Sequence, residues 1–317
     1  MKLGVVMDPI DGITPYKDTT LALLLEAGRR GWDIHYFEMA DLLVRDGVAC
    51  GRSRQLSVFD DNHDWYRFDS EPALIRLDTL DAILMRKDPP FDTEYIYATY
   101  ILERAEQAGC AIVNRPAALR NVNEKMAITR FADLCAPTLV TRSRADLREF
   151  LDAHGDIVVK PLDGMGGSKI FRIKRDDSNF SVIVEVLTEH GSRYAMAQQY
   201  LPEITDGDKR LLVIDGEPAS HMLARIPAQG ESRGNLAAGG RGETRPIGPA
   251  ERRICEAVAP FLREQGISFA GLDVIGDKLT EINVTSPTCV REVEKASGVN
   301  VSGLILDAVA RRVGARG

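Results

Sequence analysis

The chain has 317 residues, of which 44% are hydrophobic and 27% charged, and its formal net charge is −7. This composition is typical of a globular protein with two or three packed units. The negative charge argues against a nucleic-acid partner, which would require a basic surface. No apolar run in the sequence approaches the roughly 20 residues of a membrane-spanning helix.

The apolar run at the N-terminus is too short for a signal peptide. The cysteines are odd in number, scattered and without a C-x-x-C pair, so neither a zinc knuckle nor a disulfide framework is indicated. We expect reduced thiols in a cytoplasmic protein that has no membrane partner.

The first 120 residues alternate between short apolar strands and helices. Strands are predicted at 3–7, 34–37, 82–85 and 111–113, and helices up to Gly31 and at 93–108. The alternation predicts an α/β unit with a parallel sheet covered by helices. Asp18 or Thr19 is the expected cap of the first helix, and little regular structure is expected at 46–79.

Two further units are predicted, at 121–200 and 201–317. The first is expected to contain helices at 124–134, 145–153 and 182–189 and strands at 138–141, 157–160, 170–173 and 195–199. The second is expected to contain strands at 210–214 and 217–224, a helix at 250–265, a hairpin around 273–283 and a terminal helix from Val301.

The hairpin carries the strongest functional signal. Glu281 and Asn283 are two residues apart in one strand, so both project from the same face. Oxygen ligands of this kind suit Mg²⁺. A loop of three residues at 276–278 would place Asp273 directly opposite Glu281, whereas a loop of two would separate their faces, so a shared metal predicts the longer loop. A solvated edge strand is the alternative.

A glycine-rich turn and two lysines form a second signal. The turn at 164–168 lies between predicted strands and fits neither the Walker loop nor the dinucleotide fingerprint. Its backbone N–H groups can still approach phosphates closely. Lys160 ends the strand before the turn and Lys125 lies on the helix before that, where both suit phosphate oxygens. An ordinary flexible hairpin with surface lysines is the alternative.

Residues 226–242 contain five glycines and show no periodicity. A loop of this length in a compact domain is a lid or a disordered linker. Cationic Arg225, Arg233 and Arg241 favour a lid that closes over anionic intermediates and excludes water. Arg210, on a neighbouring strand, is a further candidate.

The chain resembles the ATP-grasp superfamily and, within it, the prokaryotic glutathione synthetase family, in segments that follow one another along the sequence: 85–92, 123–125, 160–167, 233–241 and 281–288. The resemblance implies an N-terminal parallel-sheet domain at 1–120 and two ATP-grasp subdomains, 121–200 and 201–317, that clamp ATP, α/β as a whole and α+β in the ATP-grasp part. It also implies an ATP-dependent C–N ligase that joins γ-glutamylcysteine and glycine through an acyl phosphate, and a homo-oligomer, commonly a tetramer.

The resemblance further implies roles for single residues. The implied ATP ligands are Lys125, Lys160, Gly164, Gly166 and Gly167 at the phosphates, Gln199, Tyr200 and Leu201 at the adenine, and Asp208 at the ribose. The implied ligands of two Mg²⁺ or Mn²⁺ ions are Asp273, Glu281 and Asn283. The implied substrate residues are Arg86, Ser286 and Thr288, with Arg210, Arg225 and Arg233 as catalytic groups at the reacting carboxylate.

Two rival functions remain open from the sequence. One is another ATP-grasp ligase that joins a different acid and amine. The resemblance in the segments 85–92 and 233–241 argues against it. The other is a non-catalytic nucleotide-binding regulator, which the presence of Lys160, Glu281 and Asn283 disfavours. Cys289, beside the predicted substrate turn, is expected to be a buried apolar residue and not a reactive thiol.

Overall fold

In the residues that this computed structural model describes (1–164, 166–229, 234 and 239–315), the strands form three sheets. None of the helices in those ranges combines the length and the apolar content that a membrane crossing requires. The sheets follow one another along the chain, so the architecture has an N-terminal, a middle and a C-terminal unit.

The N-terminal sheet is parallel at its centre. Its strands are β1 (Lys2–Val6), β2 (Asp33–Phe37), β3 (Leu42–Arg45), β4 (Val48–Val58), β5 (Tyr66–Phe68), β6 (Ala73–Arg76), β7 (Ala82–Met85) and β8 (Ala111–Val113). The order is β3-β4-β2-β1-β7-β8, and β2, β1, β7 and β8 are parallel, as predicted. Helices α1 (Thr19–Arg29), α2 (Thr93–Gln107) and α3 (Pro116–Asn121) accompany the sheet. Asp18 caps α1 by accepting a hydrogen bond from Leu21 N.

The prediction of little structure at 46–79 is wrong. Strand β4 is long and pairs antiparallel with β2, β3, β5 and β6. Its buried residues, such as Ala49, Ser53 and Leu56, do not keep to one face of the strand. The strand therefore lacks the strict alternation by which a half-buried strand is recognised in a sequence.

The middle unit is built on an antiparallel sheet. Its strands are β9 (Thr138–Thr141), β10 (Asp156–Pro161), β11 (Phe171–Lys174) and β12 (Ala195–Gln199), in the order β11-β10-β12-β9. Helices α4 (Arg144–His154) and α5 (Phe180–Thr188) pack on it through their own apolar core. The helix predicted at 124–134 is instead a 3₁₀ segment, Met126–Leu134, interrupted at Phe131, where φ is −122°.

The C-terminal unit is also antiparallel. Its strands are β13 (Asp208–Ile214), β14 (Glu217–Ile226), β15 (Arg241–Pro246), β16 (Phe269–Ile275) and β17 (Lys278–Asn283), in the order β15-β14-β13-β16-β17. Its helices are α6 (Pro249–Gln265), α7 (Val290–Ser297) and α8 (Val301–Gly314). The structureless loop predicted at 226–242 is shorter at both ends, because Ile226 and Arg241 are paired across β14 and β15.

The N-terminal and C-terminal units are joined by apolar packing and by one buried amide. Met85 and Ile112 share an apolar core with Leu211 and Ile282. Asn114, 3% exposed, donates to the carbonyls of Phe269 and Val284 at 2.7 Å each. Its side-chain oxygen accepts from the backbone N–H groups of residues 268 and 269 at 2.8 and 3.0 Å. A single side chain therefore satisfies the backbone where the two units meet.

Replacing Asn114 should destabilise the chain strongly. In Asn114→Ala these backbone groups stay buried without partners, which should lower the free energy of unfolding by about 3–5 kcal/mol. The measurement is urea unfolding followed by circular dichroism. Asn179→Ala, at an exposed helix cap without a side-chain hydrogen bond, is the matched control. Equal midpoints for both variants would contradict the assigned role.

Candidate functional site

A cavity of about 730 Å³ lies where the units meet. Its walls include the glycine-rich turn, the strand end at 198–201, the hairpin of β16 and β17, and the turn before α7. The N-terminal unit adds several residues between positions 8 and 19, together with Asp88 and Pro89. Most of the residues singled out in the sequence therefore surround one space.

The hairpin places Asp273 directly opposite Glu281, as a shared metal would require. The predicted three-residue loop is wrong, however, because Ile275 pairs with Lys278 and only Gly276 and Asp277 form the loop. A register shift follows at Thr280, which acts as a β-bulge. One extra residue in a strand moves the side chains beyond it to the opposite face of the sheet. One extra residue in the loop would have had the same effect. Gly276 accommodates the tight loop with φ at +61°.

Two buried lysines converge on Glu281. Its Oε1 lies 3.4 Å from Lys125 Nζ and 3.5 Å from Lys160 Nζ. Lys125 also donates to the Gly164 carbonyl at 2.6 Å, and so links the glycine-rich turn to the hairpin. Burial lowers the pKa of Lys160, and Glu281 partly offsets this effect. Burial raises the pKa of Glu281, but both lysines outweigh it and the net shift is downward.

Next to this group lies a chain of alternating charges. Arg210 binds Asp273 through Nε at 2.5 Å and Nη2 at 3.0 Å. Arg225 Nη2 lies 2.9 Å from Asp273 and 2.6 Å from Asp208. Burial alone would raise the pKa of Asp273, but the two guanidinium groups hold it well below its usual value.

Asp208 has the opposite shift in spite of its ion pair. Burial raises its pKa, Arg225 opposes that rise, and the charges of Asp273 and Glu281 add to it, so that the pKa is about 6. Arg225 is shared between two carboxylates and cannot neutralise both. One oxygen of Asp208, Oδ1, is buried without a hydrogen-bond partner among the described residues.

Gln199, Tyr200 and Leu201 line the cavity beside Ile204. The Arg172 guanidinium lies 3.5 Å from the centroid of the Tyr200 ring, so the aromatic side chain is held at the edge of the sheet. This wall combines an apolar shelf with strand-end backbone, which is the chemistry that a purine ring requires.

Arg86 lies behind the cavity wall. It is 5% exposed, donates to the Pro287 carbonyl at 3.0 Å and to Thr20 Oγ1 at 3.1 Å, and its own carbonyl accepts from Ser286. Arg86 thus holds the turn from behind, while Ser286 and Thr288 line the cavity itself. Any influence of Arg86 on a bound molecule passes through this turn.

About half of the predicted lid, residues 230–233 and 235–238, lies outside the described residues. Arg233 and Met165 are not among them. Gly234 is described and lines the cavity, and a side chain there would collide with the Arg225 carbonyl and with Asp208. The backbone at Gly234 therefore lies directly against the charged wall.

The sequence reasoning missed the cavity residues Lys17 and Glu292. Asp18 and Thr19 were identified only as candidate helix caps, of which Asp18 is the cap, and Cys289 only as a buried apolar residue. Cys289 is buried, and burial raises the pKa of its thiol. No local pattern could have linked Lys17 with Glu292, because the two line the same cavity from positions more than 270 residues apart.

The hairpin oxygens fit a divalent cation. Asp273, Glu281 and Asn283 all line the cavity, and each offers the hard oxygen that Mg²⁺ prefers. Asn283 Nδ2 donates to the Gly271 carbonyl at 3.1 Å, which fixes the amide and leaves its oxygen for another partner. In the described ranges no cluster of three or more His, Cys, Asp or Glu side chains forms a metal site, so this set depends on the amide.

Family models match both parts of the chain. The model described as prokaryotic glutathione synthetase, N-terminal domain, matches residues 1–120. The model described as prokaryotic glutathione synthetase, ATP-grasp domain, matches residues 124–298. Together they cover nearly the whole sequence.

Similar full-length proteins carry the same name. The glutathione synthetase of Photorhabdus laumondii is 59% identical over 99% of this chain and 99% of its own. That of Salmonella typhimurium is 59% identical over 99% of both chains, and that of Vibrio vulnificus 57% over 100% of this chain and 99% of its own.

Solved structures show the same fold at much lower identity. D-cycloserine synthetase DcsG has a TM-score of 0.69 at 18% identity and covers 99% of this chain and 100% of its own. The ATP-grasp ligase PsnB, complexed with minimal precursor, Mg and ADP, has a TM-score of 0.63 at 18% identity, with 98% of each chain covered. These matches confirm the ATP-grasp fold.

The pKa of Asp208 predicts a pH dependence of stability. The folded protein retains this proton up to a pH of about 6, whereas the unfolded chain releases it near 3.8. The folded state therefore binds more protons within that window, and this group's contribution to stability is lost as the pH rises through it. As the pH rises from 4 to 7, the free energy of unfolding of Asp208→Asn should increase relative to that of the wild type by on the order of 2 kcal/mol.

Urea unfolding at several pH values measures this difference. Asp133→Asn, at an exposed aspartate, is the control and should follow the wild type. A constant gap between Asp208→Asn and the wild type across the window would contradict the assignment.

Proposed function

The chain belongs to the prokaryotic glutathione synthetase family, and on that premise we propose that it joins γ-glutamylcysteine and glycine at the expense of ATP, giving glutathione, ADP and phosphate. The observation that carries the proposal is the convergence of Lys125, Lys160 and the hairpin carboxylates on one cavity wall. This wall has the charges that a nucleoside triphosphate and a metal require. The chain is also 59% identical to a glutathione synthetase over nearly its whole length.

We assign the phosphates of ATP to the two lysines and to the backbone of Gly164, Gly166 and Gly167. Lys125 already binds the carbonyl of Gly164 and the carboxylate of Glu281. This side chain therefore fixes the distance between the glycine-rich turn and the hairpin. The adenine is assigned to Gln199, Tyr200 and Leu201, and the ribose to Asp208. Support comes from the common cavity that all these residues line.

Asp273, Glu281 and Asn283 are the proposed metal ligands. When bound, Mg²⁺ neutralises charge on the phosphate oxygens and so permits the approach of a carboxylate. The lysine charges keep Glu281 ionised in its buried position, as its lowered pKa shows, and the guanidinium groups do the same for Asp273. The chain itself therefore maintains anionic ligands at neutral pH.

The proposed reaction has two steps. The cysteinyl carboxylate oxygen attacks the γ-phosphorus, the bond to the bridging oxygen breaks, and ADP leaves with that electron pair. The amine of glycine then attacks the acyl carbon, phosphate departs, and the nitrogen loses a proton. We assign the binding of the carboxylate, and of the oxyanion that follows, to Arg210 and Arg225. Loss of one such donor typically costs about 2.7–4 kcal/mol of transition-state stabilisation.

The second candidate is a sister ligase with a different acid or amine. The fold alone is compatible with it, because D-cycloserine synthetase and PsnB share that fold at 18% identity. The identity of 57–59% over full-length synthetases favours glutathione synthesis. The regulator hypothesis is disfavoured, since the lysines and the hairpin ligands are all in place.

Several expectations remain predictions. They are the choice of Mn²⁺ in place of Mg²⁺, the binding of two ions, a homotetrameric assembly, a cytoplasmic location and the catalytic role of Arg233. None follows from the arrangement of the cavity.

The reaction itself can be measured directly. Purified protein with ATP and Mg²⁺ should release ADP with γ-glutamylcysteine only when glycine is present, and mass detection should find one glutathione for each ADP. Turnover only with a different acid or amine would show that the chain is another ATP-grasp ligase. Nucleotide binding without turnover on any pair would support the regulator.

A metal-ligand variant tests the hairpin assignment. Glu281→Gln removes a charge that faces both lysines, so the Mg²⁺ concentration for half-maximal activity should rise on the order of tenfold or more. The measurement is activity against Mg²⁺ at saturating ATP. Glu264→Gln, an exposed position on α6, is the control. An unchanged Mg²⁺ requirement in Glu281→Gln would exclude Glu281 as a ligand.

A further inference from the structure

Three consecutive residues connect the two cavity walls to which the phosphates and the metal are assigned. Asn123 Nδ2 donates to the Leu162 carbonyl at 3.2 Å, and Lys125 Nζ donates to the Gly164 carbonyl at 2.6 Å. Both contacts lead to the segment of the middle unit that carries the glycine-rich turn. Glu124, between them, instead contacts the end of β17 in the C-terminal unit, and the proposed function gives this carboxylate no role.

Glu124 occupies the free edge of the C-terminal sheet. Strand β17 ends the strand order, so one of its sides has no neighbouring strand among the described residues. The Glu124 carbonyl accepts a hydrogen bond from Ile282 N at 2.9 Å. Its Oε1 accepts from Val284 N at 2.9 Å, from Thr285 N at 3.1 Å and from Thr285 Oγ1 at 2.8 Å. One residue therefore supplies the hydrogen-bond partners that a further strand would supply.

These bonds flank Asn283, the proposed metal ligand that carries no charge. Hydrogen-bonding groups alternate in direction along a strand, so Ile282 and Val284 present their N–H groups to the same edge. At the other edge Asn283 lies opposite Gly271 of β16, and its side chain donates to the Gly271 carbonyl at 3.1 Å. The position of the Asn283 amide oxygen is therefore set from both sides of the strand, by Gly271 and by Glu124.

The oxygen of Glu124 that holds the strand is not available to a cation. Oε1 accepts three hydrogen bonds, which use the lone pairs of that oxygen. Hydrogen bonds to an ionised carboxylate are stronger than those between neutral groups, so the strand end is firmly held. Glu124 lines the same cavity as Asn283 and Lys125, and its influence on a bound metal passes through the strand.

We propose that Glu124 is a positioning residue, which holds the Asn283 amide oxygen in place beside Lys125 and so couples the binding of the metal to that of the phosphates. This inference rests on the proposed function, in which Asn283 is a metal ligand. Lys125 Nζ lies 3.4 Å from Glu281 Oε1. Two adjacent residues, 124 and 125, therefore fix the strand of the metal ligands to the cation assigned to the phosphates.

The test measures how much Mg²⁺ strengthens the binding of ADP, by calorimetry in Mg²⁺ and in EDTA. Glu124→Ala should reduce this Mg²⁺-dependent gain in affinity about tenfold, as loss of a residue that orients a metal ligand typically does. The affinity for ADP in EDTA should stay within about threefold of the wild type, because Lys125 and Lys160 remain. The Mg²⁺ concentration for half-maximal ligation should rise in parallel.

Two further variants separate position from charge. In Glu124→Gln the amide oxygen reaches the same backbone N–H groups, so the gain should stay within about threefold of the wild type. In Glu124→Asp the carboxylate is one methylene shorter, so this variant should lose the gain as Glu124→Ala does. Glu124→Asp also carries the test if Glu124→Ala does not fold.

Glu294→Ala is the matched control. Glu294 Oε1 accepts a hydrogen bond from Ser302 N at 2.6 Å, and Glu294 is not one of the described residues that line the cavity. Its loss should lower the unfolding temperature and leave the Mg²⁺-dependent gain unchanged. A merely structural role of Glu124 would give the same result in Glu124→Ala, which would overturn the proposal.

A double-mutant cycle tests the path through the amide. In an Asn283→Ala background, Glu124→Ala should cause no further loss of the gain. Equal losses in both backgrounds, or a Glu124→Gln variant as impaired as Glu124→Ala, would overturn the positioning role. A full gain in Asn283→Ala would overturn the metal assignment and this proposal with it. Intact Mg²⁺-dependent ADP binding without ligation of γ-glutamylcysteine would overturn only the proposed reaction.

Discussion

The site depends on the burial of opposite charges in direct contact. Lys125, Lys160, Arg210 and Arg225 are each at most 6% exposed, as is Asp273. A buried charge without a partner would be very costly, so every one of these side chains must be placed against another. The four cations face Asp208, Asp273 and Glu281, which leaves an excess of positive charge. An anionic triphosphate with its metal would balance this excess.

The same constraint explains why the hairpin must have its particular register. If Asp273 and Glu281 lay on opposite faces, the guanidinium groups and the lysines could not share one wall. Alternation in the sequence predicted the hairpin, and the assumption of a shared metal predicted the pairing of Asp273 with Glu281; the structure has both. It could not distinguish a longer loop from a bulge at Thr280, because either one changes the face by one residue. Only the hydrogen-bond pattern decides between them.

Other features depended on contacts that no local pattern reveals. The parallel centre of the N-terminal sheet was predictable from its apolar runs, whereas β4 was hidden by its polar composition. The family resemblance assigned residues to ATP, and all of them line the cavity. The resemblance named Arg86 but not its burial behind the turn. Glu292 gave no signal, because only the fold brings it into the lining of the same cavity as Lys17.

The contact between the two ends of the chain has a consequence for biosynthesis. Helix α8 packs against α1, and its residues Ile305 and Val309 belong to the same apolar core as Leu24 and Val113. More than 270 residues separate α1 from α8, so this face of the N-terminal sheet is translated long before the helix that covers it. Until α8 has been synthesised, an apolar surface of the nascent chain stays open to other molecules. The N-terminal unit therefore completes its core only after the strands of both other sheets have been made.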